Sequence, residues 1–308
     1  MSGEEELIRW LQSGGLATRE GVVELGVGDD MAMLRIPGGS MLVSTDMLLD
    51  GVHFDRTEHD LESIGRKALA CGLSDCAAMA VEPVGATVSL ALPQDWTFAD
   101  TVDLYRGIKA MAERFQCAIV GGDTTSWSGR LAIDVAVVAR PFTESKPIRR
   151  STARVGDSLY VTGKLGGSRL GRHMTFTPRV HESRELARAL GADLHAMMDI
   201  SDGLALDLHR MCEASHVGAR LAGAYLKQLI HDDAKLAAQQ GDLSALEHAL
   251  YDGEDFELLV AVDVGRENYS DWPIEMFRIG TAESGVEVVV SSEGGTMALP
   301  RRGYEHLA

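Results

Sequence analysis

The chain has 308 residues, 45% of them apolar and 24% charged, with a formal net charge of −17. That is the mix of a globular protein with a sizeable core, long enough for one large domain or two ordinary ones. The acidic balance excludes a nucleic-acid backbone binder, which would show a basic face, and no run of 18 uncharged apolar residues offers a membrane span. Four scattered cysteines, Cys71, Cys76, Cys117 and Cys212, form no C-x-x-C pair. They read as reduced, packed thiols in a cytoplasmic setting. The opening MSGEEELIRWL is acidic and lacks the apolar core of a signal peptide.

In chain order, residues 4–12 predict a short helix ended by Gly14 and Gly15. A turn at Asp29 and Asp30 leads into a strand over 31–36, and a strand over 41–44 delivers Thr45 and Asp46 at its end. Asp60 is placed to cap a long helix over 61–79. On it Lys67, Cys71 and Asp75 recur at i, i+4 and i+8 and so share one face. A strand over 87–92 follows, then a second long helix capped by Thr97. A short buried strand over 117–120 runs into a glycine-rich turn, GGDTT (121–125), and another strand covers 131–139. The stretch 141–147 is polar and holds two prolines. It predicts a boundary near 140–150 between an N-terminal unit, 1–145, and a C-terminal unit, 146–308. The second half mixes strands (158–162, 195–198, 219–221, 256–262, 275–279 and 286–290) with helices (182–190, 204–214, 232–240 and 243–250). Unrepeated mixing of this kind predicts two layered α/β domains.

Six acids share one setting. Asp29, Asp30, Asp46, Asp75, Asp123 and Asp202 lie at or near element ends beside Gly, Ser or Thr. Oxygen ligands are what magnesium takes, and gathered carboxylates repel unless a cation lies between them. Taken singly, each is commoner as a turn or cap residue; the set points to a divalent cation and a phosphate-rich ligand. The loop GKLGGSRLG (163–171) matches neither the phosphate-loop pattern nor the dinucleotide pattern. Lys67 reads as a point charge for a phosphate or as one half of an ion pair. Arg150 reads as a phosphate clamp or a linker arginine. Asp252, Glu254, Asp255 and Glu257 read as ligand-binding acids or as caps of the strand after them. No serine has a convincing base partner by sequence and no HExxH or clustered Cys/His ligand set exists, so hydrolytic triads and zinc sites rank low.

An ordered series of motifs carries a resemblance over nearly the whole chain: ELGVGDDMAML (24–34), STDMLLDGVHF (44–54), RKALACGLSDCAAM (66–79), IVGGDTT (119–125), RSTARVGDSLYVTGKLG (150–166), TPR (177–179), DISDGLALDL (199–208), GEDFELL (253–259) and GYEH (303–306). The chain resembles the thiamine-monophosphate kinase family, of the superfamily that also holds aminoimidazole ribonucleotide synthetase and selenophosphate synthetase. The resemblance implies a two-domain α/β fold whose N-terminal sheet pairs with that of a second subunit in a homodimer. It implies direct transfer of the γ-phosphoryl group of ATP to thiamine monophosphate, with Mg2+; dependence on a monovalent cation such as K+ stays open. Asp29, Asp30, Thr45, Asp46, Asp75, Asp123 and Asp202 become the implied metal set. Asp30, Ser44, Thr45, Gly122, Thr124, Arg150 and Ser201 become the nucleotide contacts, and Asp50, His53, Glu254 and Tyr304 the acceptor contacts. Asp46, Asp123, Lys67 and Arg150 are the expected catalytic residues. Two alternatives stay open: another ATP-dependent enzyme on the same scaffold, and an inactive nucleotide-binding protein. Selenophosphate synthetase would want a reactive cysteine near its N-terminus, and the first here is Cys71. The chain departs from the family pattern in a shortened segment before His173, in Phe176 where proline is usual, and in Phe256 where tyrosine is common. The wall formed by 173–179 is therefore expected to be built differently.

Overall fold

A computed structural model describes residues 3–15, 19, 21–263, 265 and 272–304. The N-terminal half holds α1 (Gly3–Trp10), β1 (Val23–Leu25), β2 (Ala32–Ile36), β3 (Gly39–Leu49), α2 (Leu61–Ala78), β4 (Val81–Leu92), α3 (Phe98–Arg114), β5 (Ala118–Ser126) and β6 (Ala132–Pro141). Its six strands form one sheet in the order β1-β2-β3-β6-β4-β5. Both predicted caps form. Asp60 accepts from the Ser63 amide, and Thr97 and Asp100 make a reciprocal capping box.

One face of this sheet, with Leu42, Leu48, Val88, Leu90, Ile133, Val135 and Val137, is buried. The two long helices cross at a glycine contact. A Cβ on Gly65 would meet the Leu104 carbonyl oxygen at 2.0 Å, and one on Gly107 the Glu62 carbonyl oxygen at 1.8 Å. The alternate residues of the strands face the other way, as a period of two requires. That second face is open: Met47 is 59% exposed and Val120 69%.

The C-terminal half holds β7 (Ser158–Val161), α4 (Arg172–Thr175), α5 (Val180–Leu190), β8 (Leu194–Ile200), α6 (Leu204–Ser215), β9 (Gly218–Ala222), α7 (Gly223–Leu226), α8 (Asp232–Ala237), α9 (Ala245–Tyr251), β10 (Glu257–Val262), β11 (Phe277–Glu283), β12 (Val288–Ser292) and β13 (Gly295–Ala298). Its seven strands run in the order β13-β12-β9-β11-β7-β10-β8. The fold is thus mixed α/β, with two sheets and packed helices. Helix α2 belongs to both halves. Ile64, Leu69 and Leu73 share one core with sheet residues Val135 and Val137 and with Tyr160, Met197, Leu258 and Val260 of the second half.

Two expectations are corrected here. The strand expected to end at 44 runs on as β3 to Leu49, so Thr45 and Asp46 lie within it. GGDTT is not a turn but the body of the exposed edge strand β5. Its Gly122 answers to packing, since a Cβ there would meet the Val88 carbonyl oxygen of β4 at 1.8 Å. Strands β1 and β13, short and at sheet edges, carry no pattern strong enough to be expected. All four cysteines are free and buried. No helix among the described residues is long and apolar enough to cross a membrane.

Candidate functional site

The site forms where the turn before β2, the middle of β3, the last turn of α2 and the end of β8 meet. One carboxylate oxygen from each of Asp30, Asp75 and Asp199 lies within 4.8 Å of the other two. Asp29 and Asp46 flank this trio. Buried oxygens of Asp29, Asp30 and Asp46 (Oδ2 in each) and the Ser44 hydroxyl have no hydrogen-bond partner among the described residues. Asp75 lies close enough to Ser44 and Asp46 to interact with both; buried polar atoms are otherwise almost always paired, so the Oδ2 oxygens of Asp29 and Asp30 are aimed at something the polypeptide does not supply.

The electrostatics agree. Burial, then the charge of Asp30, pushes the Asp29 carboxyl up to about 7. Burial, then Asp134, pushes Asp46 up to about 6. Asp75 is raised well above the usual carboxylate range by its surroundings and by Asp46, Asp199 and Asp30, and Asp199 by burial and Asp30. Like charges in a low-dielectric site resist joint ionisation unless a cation joins them. All-oxygen donors of this kind suit a hard divalent cation.

Asp199 was not among the expected ligands. Its signal is in the sequence: a carboxylate in the buried and mostly apolar strand LHAMMDI, where Asp almost never sits unpaired. The Ser74 hydroxyl donates to Asp199 Oδ2 at 2.6 Å, which locks α2 against β8 and sets Asp75 beside Asp199.

Several expected residues stand elsewhere. Asp202 accepts from Arg210 through a short contact and is not in the trio. Asp50 accepts the Arg56 amide at 3.1 Å and braces its own loop; it does not line the main cavity. Lys67 is fully buried, donating to Glu254 at 2.5 Å and to the His53 carbonyl at 2.6 Å. It is therefore no open point charge for a phosphate; it positions Glu254 and the His53 loop. Arg150 lies between Asp29 and Asp30, donating to Asp30, and neutralises the acids on one side. Thr45 donates to Asp134 at 2.8 Å. Gly122, Asp123 and Thr124 lie across the sheet from the trio. Asp46 pairs with Val135, Val135 with Val88 and Val88 with Gly122. Three interstrand steps put Gly122 about 14 Å from Asp46. Within one chain, then, Asp123 and Asp46 cannot grip the same ion.

Beside the acids opens a cavity of about 480 Å³. Thr45, Asp46, Ser201 and Asp202 line it, as do His53, Glu254, Tyr304, Cys71, Phe256 and Arg169, with Met47, Leu48, Leu49 and Val52 as apolar wall. The His53 ring accepts the Leu49 amide at Nδ1 (3.0 Å), which fixes its orientation. Glu254 (φ 63°) and Phe256 (φ 51°) sit in the left-handed region. Backbone strain of this kind in non-glycine residues gathers at functional sites. The motif GYEH is described only through Tyr304; residues 305–308 lie outside the described residues.

In the wall over 173–179 the two aromatic departures meet. Phe176 stacks on Phe256 with centroids 4.0 Å apart and planes at 12°. Arg66 of α2 holds the carbonyls of Met174 and Phe176. Arg179 grips Glu257 with two nitrogens, at 2.7 and 2.9 Å. The glycine-rich loop is filled from within, since Asp255 accepts the Gly166 amide (3.0 Å) and Asp252 the Gly167 amide (2.8 Å). The Gly166 and Gly167 amides are thus committed to Asp255 and Asp252, which act as braces.

His173 gives a stability prediction. Its Nδ1 meets the Ser168 carbonyl at 3.0 Å, and burial, then the Lys67 charge, pushes the ring down to about 4. A group with a depressed folded pKa stabilises fully above its unfolded pKa, near 6.5, and loses that contribution as pH falls towards 4. Urea unfolding between pH 7 and 4.5 should show the wild type weakening more steeply than His173→Gln; equal slopes would contradict the assignment.

Comparisons with known proteins follow this geometry. The family models for AIR synthase related protein match over residues 28–140 (N-terminal domain) and 154–299 (C-terminal domain). The chain is 40% identical over 269 residues to a thiamine-monophosphate kinase of Rhodopirellula baltica, covering 84% of this chain and 83% of that protein. It is 30% identical over 314 residues to a thiamine-monophosphate kinase of Bacillus subtilis, covering 92% and 94%. A solved structure described as AaThiL complexed with AMPPCP and TMP superposes with a TM-score of 0.81 at 28% identity, over 99% of this chain and 96% of that one. With both halves matched and the acid cluster on the matched segments, the chain belongs to the thiamine-monophosphate kinase family, on the AIR synthase-related fold.

Proposed function

We propose that this protein transfers the γ-phosphoryl group of ATP directly to thiamine monophosphate, giving thiamine diphosphate and ADP. The observation that carries this is the trio Asp30, Asp75 and Asp199, with orphaned buried oxygens on Asp30 and on its flanking residues Asp29 and Asp46, set beside a cavity lined by His53, Glu254, Phe256 and Tyr304. Asp29, Asp30, Ser44, Asp46, Asp75 and Asp199 would hold Mg2+, which when bound neutralises phosphate charge and orients the phosphates. The chain's own residues do the rest. Lys67 fixes Glu254 towards the cavity, and Phe256 and Tyr304 offer ring faces to a heteroaromatic acceptor. The acceptor oxygen belongs to a phosphate already ionised at neutral pH, so no general base is needed; phosphoryl transfer asks for positioning and charge compensation. In this reading residues 1–145 carry most of the ATP and Mg2+ contacts and the dimer face, and 146–308 close the cleft.

A homodimer is part of the proposal. The open sheet face with Met47 and Val120, and the edge strand β5, leave apolar surface and ladder groups for a second copy to cover. Gly122, Asp123 and Thr124 of one copy would then complete the nucleotide site of the other, which resolves their distance from Asp46. The four buried free thiols fit a cytoplasmic location.

The test is product analysis with ATP, Mg2+ and thiamine monophosphate, with thiamine as comparison acceptor. Thiamine diphosphate and ADP should form in equal amounts, and chelation of Mg2+ should cut the rate at least about a hundredfold. Turnover of another acceptor alone, or a rate indifferent to chelation, would overturn the reading.

A further inference from the structure

Resting on the acceptor reading above, we infer that Arg169 receives the acceptor's phosphate and makes the cavity prefer an anionic acceptor to its unphosphorylated counterpart. The cavity lining presents three carboxylates, Asp46, Asp202 and Glu254, and Arg169 is the one arginine or lysine among its described lining residues. A phosphate monoester brings nearly two further negative charges, so the organic part of the site needs a positive group to admit it.

Five neighbouring cations are already committed to carboxylates, and Arg66 to the Met174 and Phe176 carbonyls of the 173–179 wall. Lys67 pairs with Glu254 at 2.5 Å, Arg150 with Asp29 and Asp30, and Arg210 with Asp202 and Asp207. Arg172 pairs with Asp255 at 3.0 Å and Arg179 with Glu257 at 2.7 Å. Pulling any of these onto a ligand would strand a partly or fully buried carboxylate, which is costly. Arg169 differs: its Nη2 donates to the neutral Val52 carbonyl at 3.1 Å. Exchanging that carbonyl for a phosphate replaces a neutral acceptor with a charged one, and the guanidinium fork fits two phosphate oxygens at once.

The backbone beneath it is fixed. Ser168 donates to the Gly253 carbonyl at 2.8 Å, and Asp252 holds the Gly167 amide. Arg169 also borders a second cavity of about 220 Å³ with Val52 and His53. The exposed side chain therefore stands as a partition between the two cavities, on a fixed base.

The experiment compares wild type, Arg169→Ala and Arg169→Lys for binding of thiamine monophosphate, thiamine and inorganic phosphate by calorimetry, with KM for ATP alongside. Arg169→Ala should weaken thiamine monophosphate about 10- to 100-fold, the scale of one charge-assisted contact. Thiamine affinity and the KM for ATP should stay within about twofold, and lysine should restore part of the loss. Equal weakening of both thiamine compounds, no change in either, or an effect on ATP alone would overturn the inference. Phosphate keeps the two readings apart. A wild type that ignores thiamine monophosphate yet binds phosphate through Arg169 would sink the kinase reading only; one that binds neither sinks both.

Discussion

Asp75→Asn should yield a protein that is harder to melt without metal and nearly dead as a catalyst. Asp75 sits on α2 with its pKa raised by burial first and then by Asp46, Asp199 and Asp30. In the absence of a cation, folding must gather those charges in a poorly solvated place. A neutral amide of the same shape removes one of them, so the metal-free variant should gain stability, on the order of 1–3 kcal/mol at pH 8. The same change deletes an oxygen donor for the cation and weakens charge compensation in the transition state. Loss of one such electrostatic contact costs about 10²–10³ in turnover. Calorimetry with and without Mg2+, beside a steady-state assay, gives both readings. The wild type should be stabilised by Mg2+ through linkage, and the variant much less. A variant that melts lower without metal, or that keeps full activity, would remove Asp75 from the cation site.

The second large effect is genetic complementation between two inactive proteins. Asp46→Asn and Asp123→Asn should each abolish turnover as homodimers. If Asp123 serves the site of the other copy, a mixed dimer holds one site with both defects and one with neither. Random reassortment of equal amounts should then restore about a quarter of wild-type activity, since half of the dimers are mixed and each carries one good site. If both residues act within one chain, the mixture stays inactive. The case for sharing rests on sheet geometry: Asp46 and Gly122 occupy one cross-strand row, three strands apart.

Much of this arrangement was legible in the residues because local chemistry marked it. Asp60 and Thr97 announced their helices through cap chemistry, and the i, i+4, i+8 spacing placed Lys67, Cys71 and Asp75 on the face that meets the cavity and the acids. What failed depended on partners distant in sequence. The buried pairing of Lys67 with Glu254 spans 187 positions, and no local pattern reports it. GGDTT looks like a turn because glycine usually signals one, yet Gly122 is there to let β4 approach. Asp199 was overshadowed by Asp202, which stands in a glycine-flanked turn; a carboxylate inside an apolar strand was the stronger clue. The departures Phe176 and Phe256 looked independent in sequence and proved to be one stacked pair.

The shared position of α2 has a consequence for motion. Because this helix is packed into the core of both sheets and pinned to β8 through Ser74 and Asp199, the halves cannot swing apart about the 141–147 linker like hinged jaws. Interiors this dense deform by switching between discrete packings, not by stretching. Ligand entry is thus a matter for the rim, where the segments around Val52, Arg169 and Tyr304 border the cavity.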